Sequence, residues 1–234
     1  MVLLGTIVNA AAILFGTFIG SFLTKIPDRI KQTVTKAIAL AVVVLGIKMA
    51  LQGEQFLVVI LSLAIGGVIG EWLDLEKRLN NIGYWLERKV GSRGEGGNVA
   101  KAFVTATLVF VVGALSILGA LDSGLRQDHT ILYTKAMLDG FFSILFTTTL
   151  GIGVLFSAVP VLIYEGGIAL FATQINQWVA PGLLDLFISE MTAVGGIMIL
   201  AIGLNLLEIT KIRTANLLPG LVVVALLCGG LYYW

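Results

Sequence analysis

Long apolar runs recur along this chain, each ended by a short cluster of charged or turn-forming residues. A bilayer core of about 30 Å needs about 20 apolar residues per helix. That length predicts roughly eight spans, at 2–24, 35–52, 55–73, 99–122, 133–155, 158–177, 186–208 and 216–233. No polar turn separates the fifth from the sixth, because Asp139 and Glu165 are the only charged residues between Lys135 and Gln174. Length still demands a break, expected at Phe156-Ser157-Ala158 ahead of Pro160, with a broken helix as the other arrangement. A second interruption is expected within span six at Glu165-Gly166-Gly167.

One segment follows a different rhythm. From Asp74 to Val90, Leu75, Leu79, Ile82 and Leu86 recur at helical spacing while charges fill the opposite face, which predicts an amphipathic helix lying on the membrane interface. The glycine-rich stretch 91–98 reads as a flexible tether. It divides a three-span part, 1–90, from a five-span part, 99–234.

Helices in lipid pack through small residues that let backbones approach. Gly5, Asn9, Ala12, Gly16 and Gly20 form such a face on the first span, Ser62, Gly66 and Gly70 on the third, and Gly113, Ser116, Ala120 and Gly124 on the fourth. The fifth span carries something more specific. Lys135, Asp139, Ser143, Thr147 and Gly151 stand four residues apart and form one polar line down a helix, along which Lys135 and Asp139 can pair. Ionisable groups inside a membrane are costly and mark functional sites by default. Asp139, Lys135, Asp122 and Glu165 are therefore the expected lining of a solute or ion pathway, with Ser143 and Thr147 as a wet path. Asn9, Ser116 and Asn205 are its expected polar support. The alternative is an ion pair that snorkels to the interface, with Asn205 and Asn216 only capping or linking helices.

Composition sets the class. Of 234 residues 58% are hydrophobic and only 12% charged, with mean hydropathy +1.00, whereas soluble domains carry about 25% charged residues. The fold class is all-α, a polytopic transmembrane helical bundle. A net charge of +1 offers nothing to nucleic acid. Twelve of the fifteen Lys and Arg fall in the first, third and seventh connections or at the span ends beside them, and the positive-inside bias then places both termini outside a bacterial cytoplasmic membrane. The lone Cys228 reads as a packing residue, and the apolar start reads as a retained span rather than a cleaved signal. His129 is the only histidine, and there is no phosphate loop, H-E-x-x-H or C-x-x-C. No catalytic residue, metal or cofactor is expected, and the chain is not read as an enzyme; a carboxylate-based membrane enzyme is the minor alternative.

Laying TVTKAIALAVVVLGIKMAL on ISEMTAVGGIMILAIGLNLL aligns Thr35 with Thr192 and Gly46 with Gly203. Spans one to three and six to eight would then be an inverted repeat, an arrangement found in transporters.

The segments GTIVNAAAILFGTFIG, GGVIGEWLDLEKRL, GALSILGALDSGL, KAMLDGFF with LGIGVLFSAVPVL, and TAVGGIMILAIGLNLL followed by NLLPGL occur in order. With them the chain resembles the bacterial multi-pass membrane proteins of domain-of-unknown-function family 554, also called YdfK-like or YqgA-like. The resemblance implies a multi-pass membrane fold and carries no activity with it. The expected function is transport of a small solute or ion, coupled to protons or cations; the alternative is a non-transporting scaffold or assembly partner. The expected partners are the lipid bilayer, that solute or ion, and further copies of the chain.

Overall fold

The computed structural model describes residues 1–23, 27–90 and 98–233, and every regular element among them is helical. In chain order these are α1 (Leu4–Phe22), α2 (Asp28–Ala50), α3 (Phe56–Leu73), α4 (Leu75–Val90), α5 (Asn98–Val111) and α6 (Ala114–Leu125), then α7 (Thr130–Leu150), α8 (Ala158–Leu170), α9 (Ala172–Trp178), α10 (Pro181–Leu206) and α11 (Gly220–Tyr233). Short 3₁₀ turns, Ile152–Ser157 and Thr214–Leu217, lead into α8 and α11. The predicted tether, from 91 to 97, and Lys25 lie outside the described residues; Asn98 opens α5.

Among the described residues six helical segments are long and apolar enough to cross a bilayer, and the α5–α6 pair, bent by 61°, makes a seventh if it is one span. The eight-span expectation differs at α7, whose polar line keeps this 21-residue helix out of that group. Three local expectations are corrected. The fourth span is not straight: Gly113, at φ +147°, breaks it between α5 and α6, so this glycine is a bend rather than a packing residue of a continuous helix. The break after the fifth span falls earlier than Phe156, because α7 stops at Leu150 and Gly151 adopts φ +100° before the 3₁₀ turn. Glu165-Gly166-Gly167 is no break at all; α8 runs through it.

The chain forms two compact units, 1–34 with 79–111 and 115–175, and 35–78 with 112–114 and 176–234. In the first, α1 and α7 run parallel at very close range. A side chain on Gly16 would strike the Gly140 carbonyl, and one on Gly20 would come within 2.7 Å of the Ile144 carbonyl. The glycines are there because the neighbouring backbone occupies the space. In the second unit α2 lies antiparallel to α10. Gly46 meets Leu200 and Gly196, while Gly203 meets Val43 and Ala39. The register that pairs Gly46 with Gly203 also pairs Val43 with Leu200 and Ala39 with Gly196, so the two sets of contacts interchange. Gly66 and Gly70 of α3 pack on Gly220 and on the Asn216 backbone in the same manner.

Gly16→Leu is expected to lower the thermal midpoint in detergent markedly, since overpacking costs typically about 1–3 kcal/mol. Gly167→Leu should leave it unchanged or raise it, because nothing lies within 4 Å of a Cβ there and leucine favours a helix. Equal midpoints would remove the close-approach account.

Candidate functional site

Helix period places Lys135 and Asp139 one turn apart on α7, and both are buried. The tertiary fold adds two residues far away in sequence. Asn9 comes from the glycine face of α1, and Glu165 from the middle of α8; each is 0% exposed. Lys135 Nζ makes an ion pair with Asp139 and a second, at 3.2 Å, with Glu165 Oε1. Asn9 Nδ2 donates to Asp139 Oδ2 at 3.0 Å and to the Glu165 carboxylate at 3.0 and 3.2 Å. The ammonium and the amide thus bridge the same two carboxylates from different helices. With all three ionisable groups charged, two carboxylates against one ammonium leave one net negative charge inside the unit. Buried charges require this pairing because an isolated ion in apolar surroundings is prohibitively costly.

Unpartnered polar atoms extend away from the cluster along α1 and α7. Thr6 Oγ1, Asn9 Oδ1, Thr17 Oγ1, Ser143 Oγ and Thr147 Oγ1 are buried and make no hydrogen bond among the described residues. Other helix hydroxyls nearby do find partners: Thr148 and Thr149 donate to the Leu145 carbonyl, and Ser157 to Val154. An orphaned buried polar group costs about 1–3 kcal/mol, so a row of them is not explained by packing. A groove of about 270 Å³ between α1 and α8, lined by residues including Thr6, Leu162, Gly166 and Gly167, lies about one helical turn from Asn9.

The remaining expected site residues fall elsewhere. Asp122 pairs at 3.6 Å with the exposed Arg126. Ser116 donates to the Phe110 carbonyl across the α5–α6 bend. Asn205 braces the loop after α10, accepting from Ile212 N–H and Thr210 and donating to the Ile212 carbonyl. Among the described residues Asp122 and Ser116 share no hydrogen bond or ion pair with the cluster, and Asn205 belongs to the second unit. Beside the start of α7, Ser123 Oγ donates to the Val2 carbonyl and lies 2.7 Å from His129 Nδ1. Because the serine hydrogen is used on Val2, the ring nitrogen is the donor in that contact. Asp128 accepts from the Thr130 hydroxyl and N–H, and these bonds, the hydroxyl first, hold its carboxyl below the usual range.

Two polar groups escaped the reading of the chain. Glu190 of α10 is fully buried, and its Oε1 accepts from Glu54 and Gln55 N–H at 2.7 and 2.8 Å, satisfying the open amides before α3. A carboxylate inside the apolar run between Leu186 and Leu207 was the available signal. Glu76 was the second: its N–H donates to Asn216 Oδ1 while its own carboxylate accepts from Ala215 N–H, and Asn216 also donates to Glu71, which pairs with Arg213.

The family model described as "Protein of unknown function (DUF554)" matches residues 4–229, and the chain belongs to that family. It is 38% identical over 224 residues to "Uncharacterized membrane protein YdfK" of Bacillus subtilis (strain 168), covering 94% of this chain and 93% of the relative. It is 29% identical over 224 residues to "Uncharacterized protein YqgA" of Escherichia coli (strain K12), covering 94% of each. No solved structure matches the chain.

Removing the ammonium alone, Lys135→Met, should destabilise by about 3–5 kcal/mol, because it strands buried carboxylates. Adding Asp139→Leu should recover part of that loss. Chemical unfolding of the single and double variants checks this, and strictly additive losses would argue against a shared network.

Proposed function

We propose that this family member moves a small solute or ion across the bacterial cytoplasmic membrane, with Lys135, Asp139, Glu165 and Asn9 as its binding site. The observation that carries the reading is the cluster itself. Two carboxylates and an ammonium are held together within apolar helices, where polar groups are expensive and mark pathways. A scaffold would fix the same helices with apolar contacts at lower cost, since buried ion pairs add little net stability.

In this reading α7 and the bent α5–α6 pair both cross the bilayer, which restores eight crossings. The basic connections then share the cytoplasmic side and both termini face out. The interchangeable contacts of α2 and α10 support an inverted repeat, an architecture that serves alternating access. The partners are the bilayer and one small solute or ion, and no catalytic step is assigned.

Reconstituted into liposomes, the protein is expected to give flux, or ligand-induced thermal stabilisation, with at least one member of a panel of small ions, amines, amino acids and carboxylates. Asp139→Asn is expected to cut that flux at least tenfold while the variant still folds. Folded protein with neither flux nor stabilisation across the panel would favour the scaffold.

A further inference from the structure

We propose that a proton path runs along α1 and α7, from Thr6 at the α1–α8 groove through the Lys135–Asp139–Glu165–Asn9 cluster to Ser143, Thr17 and Thr147. The proposal rests on the transport reading and names its mobile ion.

Three observations carry it. The first is where the orphaned atoms lie. Among the described residues eight buried side-chain oxygens have no hydrogen-bond partner; five belong to α1 and α7, those of Thr6, Asn9, Thr17, Ser143 and Thr147, and the other three, of Ser62, Thr107 and Glu190, lie singly on α3, α5 and α10. Asn9 belongs to the cluster itself, and the other four on α1 and α7 flank it on both sides along these helices. The second is the seam's construction. A Cβ on Gly16 would come within 3.0 Å of Ser143 Cβ, and one on Gly20 within 2.8 Å of Thr147 Cβ. Glycines on α1 therefore face the hydroxyl-bearing positions of α7.

The third is spacing. Asp139, Ser143 and Thr147 stand four residues apart on one helix, about 6 Å apart along its axis. Oxygens so spaced are too far apart to bond directly, and a proton passes between them along a short chain of bridging waters. A dehydrated metal cation instead needs about six oxygens around one point, which a row with one hydroxyl per turn does not supply. The chemistry fits a relay of protons.

The step conserves protons and charge. A carboxylate oxygen of Asp139 or Glu165 takes up a proton arriving from the Thr6 side, forming an O–H bond. That bond then breaks toward the next water or hydroxyl oxygen. Each hydroxyl releases its own hydrogen as it gains one, so one proton enters, one leaves and every side chain is restored. The titratable groups concerned are Lys135 and Asp139 on α7 and Glu165 on α8, with Tyr164 adjacent to it in sequence. Neither α1 nor the 3₁₀ turn Ile152–Ser157 has a titratable side chain, and Lys101 of α5 is exposed.

Proteoliposomes containing a trapped pH-sensitive dye, with a potassium–valinomycin potential, test the path. Wild-type protein should speed proton entry well above empty liposomes. The combined Thr17→Val, Ser143→Ala and Thr147→Val variant should lower the rate at least tenfold, with a thermal midpoint unchanged or raised because orphaned polar atoms have been removed. Thr147→Ser, which keeps the hydroxyl, and Thr148→Val, whose hydroxyl is already engaged by the Leu145 carbonyl, should both retain the wild-type rate. If the triple variant does not fold, each single substitution should still reduce the rate. Wild-type rates equal to empty liposomes, or equal rates in wild type and the hydroxyl variants, overturn the path. Solute flux that depends on Asp139 without proton entry would overturn the path and leave the transport reading standing.

Discussion

An ammonium shared between two carboxylates inside apolar helices sets the terms for the first unit. Lys135 lies within ion-pair distance of both Asp139 and Glu165, and Asn9 closes the group from a third helix. None of these groups can go without its partners, because hydrocarbon offers no substitute for water. The helices that bring them together are therefore held in one register by electrostatics as well as by packing. Asn9 must reach across from α1, and it does so only because α1 sits unusually close to α7.

That closeness is the work of glycine. Gly16 faces the Gly140 carbonyl and Gly20 the Ile144 carbonyl, so two backbones touch where side chains would ordinarily keep them apart. Between helices in lipid the hydrophobic effect contributes little, and such backbone contact is a principal source of cohesion. It also leaves room along the seam for small polar groups. The second unit uses the same device at Gly46, Gly66, Gly70 and Gly203, but its carboxylates do different work. Glu190 and Glu76 accept backbone amides near the starts of α3 and of the 3₁₀ turn before α11. Glu71 pairs with Arg213 at an exposed position. Carboxylates occur in both units, yet only those of the first combine an ammonium, an amide and adjacent unpartnered hydroxyls.

Much of this was legible along the chain. The apolar runs announced membrane helices, since a bilayer imposes one length on whatever crosses it. The four-residue spacing from Lys135 to Thr147 announced a polar line, since an α-helix returns to the same face nearly every turn, and Lys135 and Asp139 do pair along it. The small-residue faces of α1 and α3 were visible for the same reason. Breaks were less legible. Gly113 and Gly151 interrupt their helices at positive φ, whereas Gly166 and Gly167 remain helical. All four are glycine, and only the surrounding packing decides which of them bends.

The sequence by itself determined what local periodicity can carry: the membrane class, the helices, the polar face of α7 and the glycine faces. Only the tertiary structure decided which of the isolated polar residues share a site. Asn9, Asp139 and Glu165 converge although they are separated by 130 residues or more from Asn9, while Asp122, Ser116 and Asn205 settle into separate local roles. The physical reason is that helix period fixes which way a side chain points from its own axis. Which other axis it meets depends on how helices distant in sequence pack, and in this chain that is set by glycine contacts spread across several of them.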